Sequence, residues 1–123
     1  QKPEILVQIN AAFQKAVGDP NMQVTYGAPT VIYVSCKNED EEIVKGCNAG
    51  VVMENMLLEA ADLGLGAVYL FGVSQVLFAN EEITKLLQIP EGFRTVSAIA
   101  VGTSADALQE RTLGTDKIST TTL

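Results

Sequence analysis

The chain has 123 residues, 47% of them hydrophobic and 19% charged, which is the length of one domain and the balance of a globular protein. It contains no histidine, which excludes Ser-His-Asp and Cys-His catalysis, histidine-bound zinc and an imidazole proton shuttle within the chain. Its net charge of −7 includes no basic stripe able to follow a phosphate backbone, so neither nucleic acid nor an anionic membrane surface is an expected partner.

In chain order, Pro3 at a first helical turn followed by Ile5, Leu6, Ile9, Phe13 and Val17 predicts an amphipathic helix. Gly18-Asp19-Pro20-Asn21 ends it and opens a loop. Pro29 to Ser35 is a β-branched run that predicts a largely buried strand. Asn38-Glu39-Asp40-Glu41-Glu42 lacks the alternating oxygen ligands, central glycine and closing glutamate of a calcium loop. These acids are expected to open a helix and complement its positive end. The acidic excess is concentrated here: Lys37 to Asp62 holds seven acids and two bases, whereas the first 36 residues are neutral.

The helix predicted from about Ile43 to Leu63 is the most informative element. Asn48, Asn55, Glu59 and Asp62 stack on one narrow stripe, and the residues around it are Val51, Val52, Met53, Met56, Leu57, Leu58, Ala60, Ala61 and Leu63. Such a helix is expected to pack on a sheet with one side and on another helix with the other. Gly46 and Gly50, four apart, permit a close crossing, including one from a second subunit; each costs roughly 1 kcal/mol against alanine unless tight packing compensates. The apolar stretch from Ala49 to Leu65 carries Glu54, Glu59 and Asp62. At roughly 2.5–3.5 kcal/mol per carboxylate it does not read as a membrane span.

Gly64 supplies a left-handed residue after the helix, and Ala67 to Phe71 predicts a buried strand ending at Gly72. Ser74 and Asn80 are candidate N-caps of two short helices, 75–79 and 81–87. Pro90-Glu91-Gly92 turns the chain into a strand from about Arg94 to Val101. A polar tail follows, and residues 117–123 are expected to add a strand to a sheet edge, including that of a partner subunit. Together these elements predict an α+β protein.

The glycines at 64, 66 and 72 do not form a dinucleotide loop, because a helix ends at them and a strand follows. Cys36 and Cys47, eleven apart, fit neither a metal nor a redox spacing. Both read as small buried apolar residues of a reduced, cytoplasmic protein. Gln1-Lys2-Pro3, without an initiator methionine or a secretory signal, is the start expected of a processed or cut piece of a longer chain.

Three stretches carry a family resemblance. Glu54 to Gly72, ENMLLEAADLGLGAVYLFG, resembles the central helix–turn–strand of nitroreductase-family flavoproteins. Tyr26-Gly27-Ala28-Pro29-Thr30-Val31-Ile32 resembles the approach to the family's preceding strand. Leu86 to Gly92 followed by Val96 to Gly102 resembles its final helix, turn and strand. The match is collinear from about residue 26 to 111.

The resemblance implies a mixed, largely antiparallel sheet flanked by helices, in an intertwined homodimer with FMN at the subunit interface. It implies NAD(P)H as electron donor and a small-molecule acceptor such as a nitro compound or quinone. Carried over by position, Leu70, Phe71 and Gly72 would lie against the isoalloxazine ring, and a backbone amide at Phe71 or Gly72 would donate to its N5/O4 edge. Arg111 matches a tail arginine that would approach the FMN phosphate. No catalytic side chain is implied, which accords with the missing histidine. Residues 1–123 would form a single domain that lacks the family's N-terminal flavin-binding segment, where Arg-x-Ser-x-Arg and Asn-x-Gln-Pro-Trp patterns occur. The alternative reading is a non-catalytic α/β dimerisation or small-ligand-binding module without flavin.

Overall fold

Pro3 begins α1 (Pro3–Val17), which ends where Gly18 adopts φ 78° and returns its N–H to Gln14 O at 2.9 Å. The helix buries Ile9 and Phe13, while its polar side holds the next loop. Asn10 Oδ1 accepts the Val24 N–H at 2.9 Å, and the Gln14 side chain donates to Met22 O at 2.9 Å. A computed structural model describes residues 2–77 and 80–107, together with 109, 110, 112, 114, 119, 121 and 122. The expected tail strand over 117–123 lies largely outside them.

Among the described residues, three strands form one sheet, β1 (Thr30–Lys37), β2 (Gly66–Tyr69) and β3 (Phe93–Gly102), in the order β1-β3-β2. Both pairings are antiparallel, with Tyr33 opposite Ala98 and Tyr69 opposite Ile99. The last of these three in sequence is therefore the central one. Ala98, Ile99 and Ala100 within it are fully buried, and small residues there let elements on both faces approach closely. β1 is only half-buried, less than its apolar run predicts, because it lies at an edge of this sheet.

The side-chain alternation of the strands sorts the helices into two layers. Val31, Tyr33, Val68, Leu70, Ala98 and Ala100 share one face and pack with Val73. The same layer holds Ile9, Phe13, Val24 and Ile83, which bring in α1 and the short helices α3 (Phe71–Leu77) and α4 (Glu81–Leu86). The opposite face carries Ile99 and Ser97 and is covered by α2 (Glu42–Asp62), which touches all three strands.

Two helix ends follow the sequence closely. Gly64, at φ 69°, lets Leu65 N–H reach Ala60 O at 2.8 Å and its own N–H reach Ala61 O at 3.0 Å, the paired bonds of a left-handed C-terminal cap. Asn80 caps α4 by accepting from Glu82 N at 3.0 Å and Ile83 N at 3.3 Å. The expectation for Ser74 is corrected: α3 already starts at Phe71, and Ser74 lies inside it. Both cysteines differ as well, Cys47 being exposed and Cys36 half-buried, because Cys47 points away from the sheet on α2. No described helix is long and apolar enough to cross a membrane.

Candidate functional site

β2 runs into α3 without a loop, and the junction contains Leu70, Phe71 and Gly72, three of the four residues singled out by sequence. Leu70 is buried and continues the sheet pairing, its N–H donating to Ala98 O at 2.8 Å. The chain then bends outward. Phe71 is 56% exposed, and its ring stands 6.0 Å from that of Tyr69, which is 40% exposed.

The backbone supplies the donors. The Phe71 and Gly72 N–H groups donate to no acceptor among the described residues, as befits the first turn of a helix. A Cβ added at Gly72 would meet nothing within 4 Å among the described residues, which leaves the main chain there approachable by a ligand as far as those residues go. Two free amides beside exposed aromatic surface fit the edge of a planar, electron-accepting ring whose reduced form carries negative charge. This donor set is one that FMN can use. Arg111, the fourth residue, lies outside the described residues.

Concavities among the described residues lie elsewhere. One of about 270 Å³ is lined by Lys2, Ile5, Ile9, Tyr33 and Leu87. Another of about 570 Å³ lies at the far end of the strands, by Tyr26, Leu57, Gly66 and Ser104. Neither includes Leu70, Phe71 or Gly72.

A charged cluster sits where α2 meets the β1–β3 end. Lys45 is 2% exposed, and its Nζ donates to Asn38 O at 3.1 Å and pairs with Glu42 at 2.9 Å. Arg94 also pairs with Glu42. Hydrogen bonding by Lys45, reinforced by Arg94, holds the Glu42 carboxyl below its ordinary value. Sequence reasoning missed Lys45, because a lysine early in an acidic segment reads as solvated. It also missed Tyr69 as the aromatic neighbour of Phe71, and no periodicity distinguishes a strand-end tyrosine from a core one.

The chain thus combines a long helix that turns through Gly64 into β2 with a three-stranded antiparallel sheet flanked by helices among the described residues. The sequence model of the nitroreductase family matches residues 2–103, and the chain belongs to that family. Solved structures agree on the fold. A nitroreductase of Desulfitobacterium hafniense with bound FMN superposes with a TM-score of 0.76 at 19% identity, covering 98% of this chain and 71% of that one. A Bacteroides fragilis nitroreductase with bound FMN gives 0.74 at 21% identity, covering 96% and 68%. An FMN-dependent nitroreductase of Clostridium difficile gives 0.66 at 20% identity, covering 96% and 72%.

Proposed function

We propose that this chain belongs to an FMN-dependent oxidoreductase that takes electrons from NAD(P)H and reduces a nitro compound, quinone or similar small acceptor. We further propose that it acts as a cytoplasmic homodimer. The observation that carries the reading is the pair of amides at Phe71 and Gly72 that have no acceptor among the described residues, at the position where the family resemblance puts the flavin edge. Bound FMN would supply the redox chemistry, accepting and releasing a hydride equivalent.

The chain's own residues would bind and orient it. Leu70, pinned to Ala98, fixes the height of the junction on the sheet. The Phe71 and Gly72 amides donate to the N5/O4 edge and favour the state in which that edge is negative. Phe71 and Tyr69 offer apolar ring surface beside it. Arg111 is assigned to the phosphate by resemblance alone. Substrate protons come from solvent in this reading, as the chain contains no histidine.

Titration of the purified chain with FMN tests this reading. The expected outcome is saturable binding with a perturbed flavin absorption band. A colourless protein that takes up no added FMN would favour the flavin-free dimerisation module instead.

A further inference from the structure

The turn that leads into β1 holds an aromatic residue in an unusual backbone state. Ala28 N–H donates to Thr25 O at 2.9 Å, and the two residues between them, Tyr26 and Gly27, have φ of 53° and 73°. Glycine suits that left-handed region, but a residue as bulky as tyrosine rarely adopts it. Tyr26 is also 71% exposed, so packing against the described residues does not offset the strain. Residues held in such regions cluster at ligand clamps and active sites.

Tyr26 lines the cavity of about 570 Å³ together with Leu57, Ala61, Leu65, Ser104 and Asp106. Close packing sets its walls. A Cβ at Gly66 would lie 3.0 Å from Ser104 Cβ, and one at Gly102 would lie 2.8 Å from Pro29 Cδ, so both segments sit directly on the sheet. Asp106 is placed by the bond from its own N–H to Ser104 Oγ at 3.2 Å.

The electrostatics of the cavity have one sign. Leu57 and Ala61 come from the C-terminal turns of α2, a 21-residue helix with no basic residue in its last turn. The negative end of that helix therefore lies at the cavity without a side-chain cation of its own. Asp106 is the charged residue among the described lining residues, which include neither lysine nor arginine. The chain as a whole carries −7, which attracts cations from a distance.

We propose that this cavity binds a small aromatic ammonium ion, with its ring against Leu57, Leu65 and Tyr26 and its ammonium beside the Asp106 carboxylate. The aliphatic side chains take apolar ring surface, while the tyrosine face and the carboxylate both attract the cation. The cavity shares no residue with the β2–α3 junction, and the proposal does not depend on the FMN reading.

Isothermal titration calorimetry of the whole chain with tryptamine, cationic at neutral pH, and with tryptophol, its neutral hydroxyl analogue, tests the proposal. The expected outcome is one saturable site that prefers tryptamine by about tenfold. Asp106→Asn should weaken tryptamine binding about three- to tenfold and leave tryptophol unchanged. Tyr26→Asn removes the ring and suits a left-handed φ, and it should weaken tryptamine binding about two- to tenfold. Asp40→Asn removes the same unit of charge before α2, at the other end of that helix, and should change neither affinity.

Equal affinity for the two probes overturns the proposal, since the cavity would then select apolar surface alone. Equal effects of Asp40→Asn and Asp106→Asn overturn it too, because the attraction would then belong to the overall charge of the chain. Absence of tryptamine binding by the wild-type chain does the same. None of these results bears on uptake of FMN, so the two readings fail separately.

Discussion

At the scale of single residues, burial and hydrogen bonding separate groups that look alike in sequence. Lys45 is the clearest case. Its stem lies under α2 while its ammonium meets Asn38 O and Glu42, so the chain buries a charge only where partners exist. Tyr33 is the opposite case. Its hydroxyl is buried with no hydrogen-bond partner among the described residues, and burial pushes its pKa up to about 12. Its ring joins both apolar clusters of the α1 layer, and packing outweighs the unpaired hydroxyl.

Glu42 yields a pH prediction. Its carboxyl is held below the ordinary value near 4.5, chiefly by Lys45 and then by Arg94. The folded chain therefore takes up this proton less readily than the unfolded chain. The associated stabilisation is complete above about 4.5 and is lost as pH falls through the lowered folded-state value. Urea unfolding of wild type and Glu42→Gln should show a stability difference at pH 7 that shrinks below that point. A difference that is constant with pH would detach the effect from the carboxylate.

At the scale of elements, α2 shows how much a period reveals and where it stops. Lys45, Ala49, Met53 and Ala60 form its buried stripe. The predicted polar stripe of Asn48, Asn55, Glu59 and Asp62 is exposed. On the side away from the sheet, Val44, Val51 and Leu58 recur at intervals of seven, with Cys47 between the first two. Val51 is 64% and Leu58 60% exposed.

Gly64 and Gly50, both associated with this helix, should respond to alanine in opposite ways. Gly64 holds a left-handed φ of 69°, so Gly64→Ala should lower stability by about 1–2 kcal/mol. Gly50 has helical geometry, and a Cβ there would meet nothing within 4 Å. Gly50→Ala should therefore raise the stability of the single chain by up to about 1 kcal/mol. Chemical denaturation at low protein concentration reads both signs.

At the scale of the whole molecule, those open residues on α2 are the argument for a second copy. Among the described residues, Gly46 and Gly50 have no neighbour that a side chain would strike, so close approach between those residues does not account for them. A partner α2 crossing the Val44–Val51–Leu58 face would cover the apolar stripe and use the glycines. Val51→Glu should therefore convert the dimer proposed above to a monomer, as measured by light scattering at micromolar concentration, with the secondary structure retained. A wild-type chain that is already monomeric there would dismiss the dimer.

Much of this molecule was determined by its sequence alone. Local rules suffice for α1, α2, the Gly64 cap and the Asn80 cap, because each depends on neighbours three or four residues apart. The sequence resemblance likewise indicated the nitroreductase family and located Leu70-Phe71-Gly72 at a strand end. Tertiary structure decided the rest, since it depends on partners far along the chain. Pairing with β1 and β2 makes β3 central and leaves β1 at an edge. The sheet covers only one side of α2, which buries Lys45 and exposes Cys47. The early bend after Tyr69 starts α3 at Phe71 and places Ser74 on the Leu70 carbonyl.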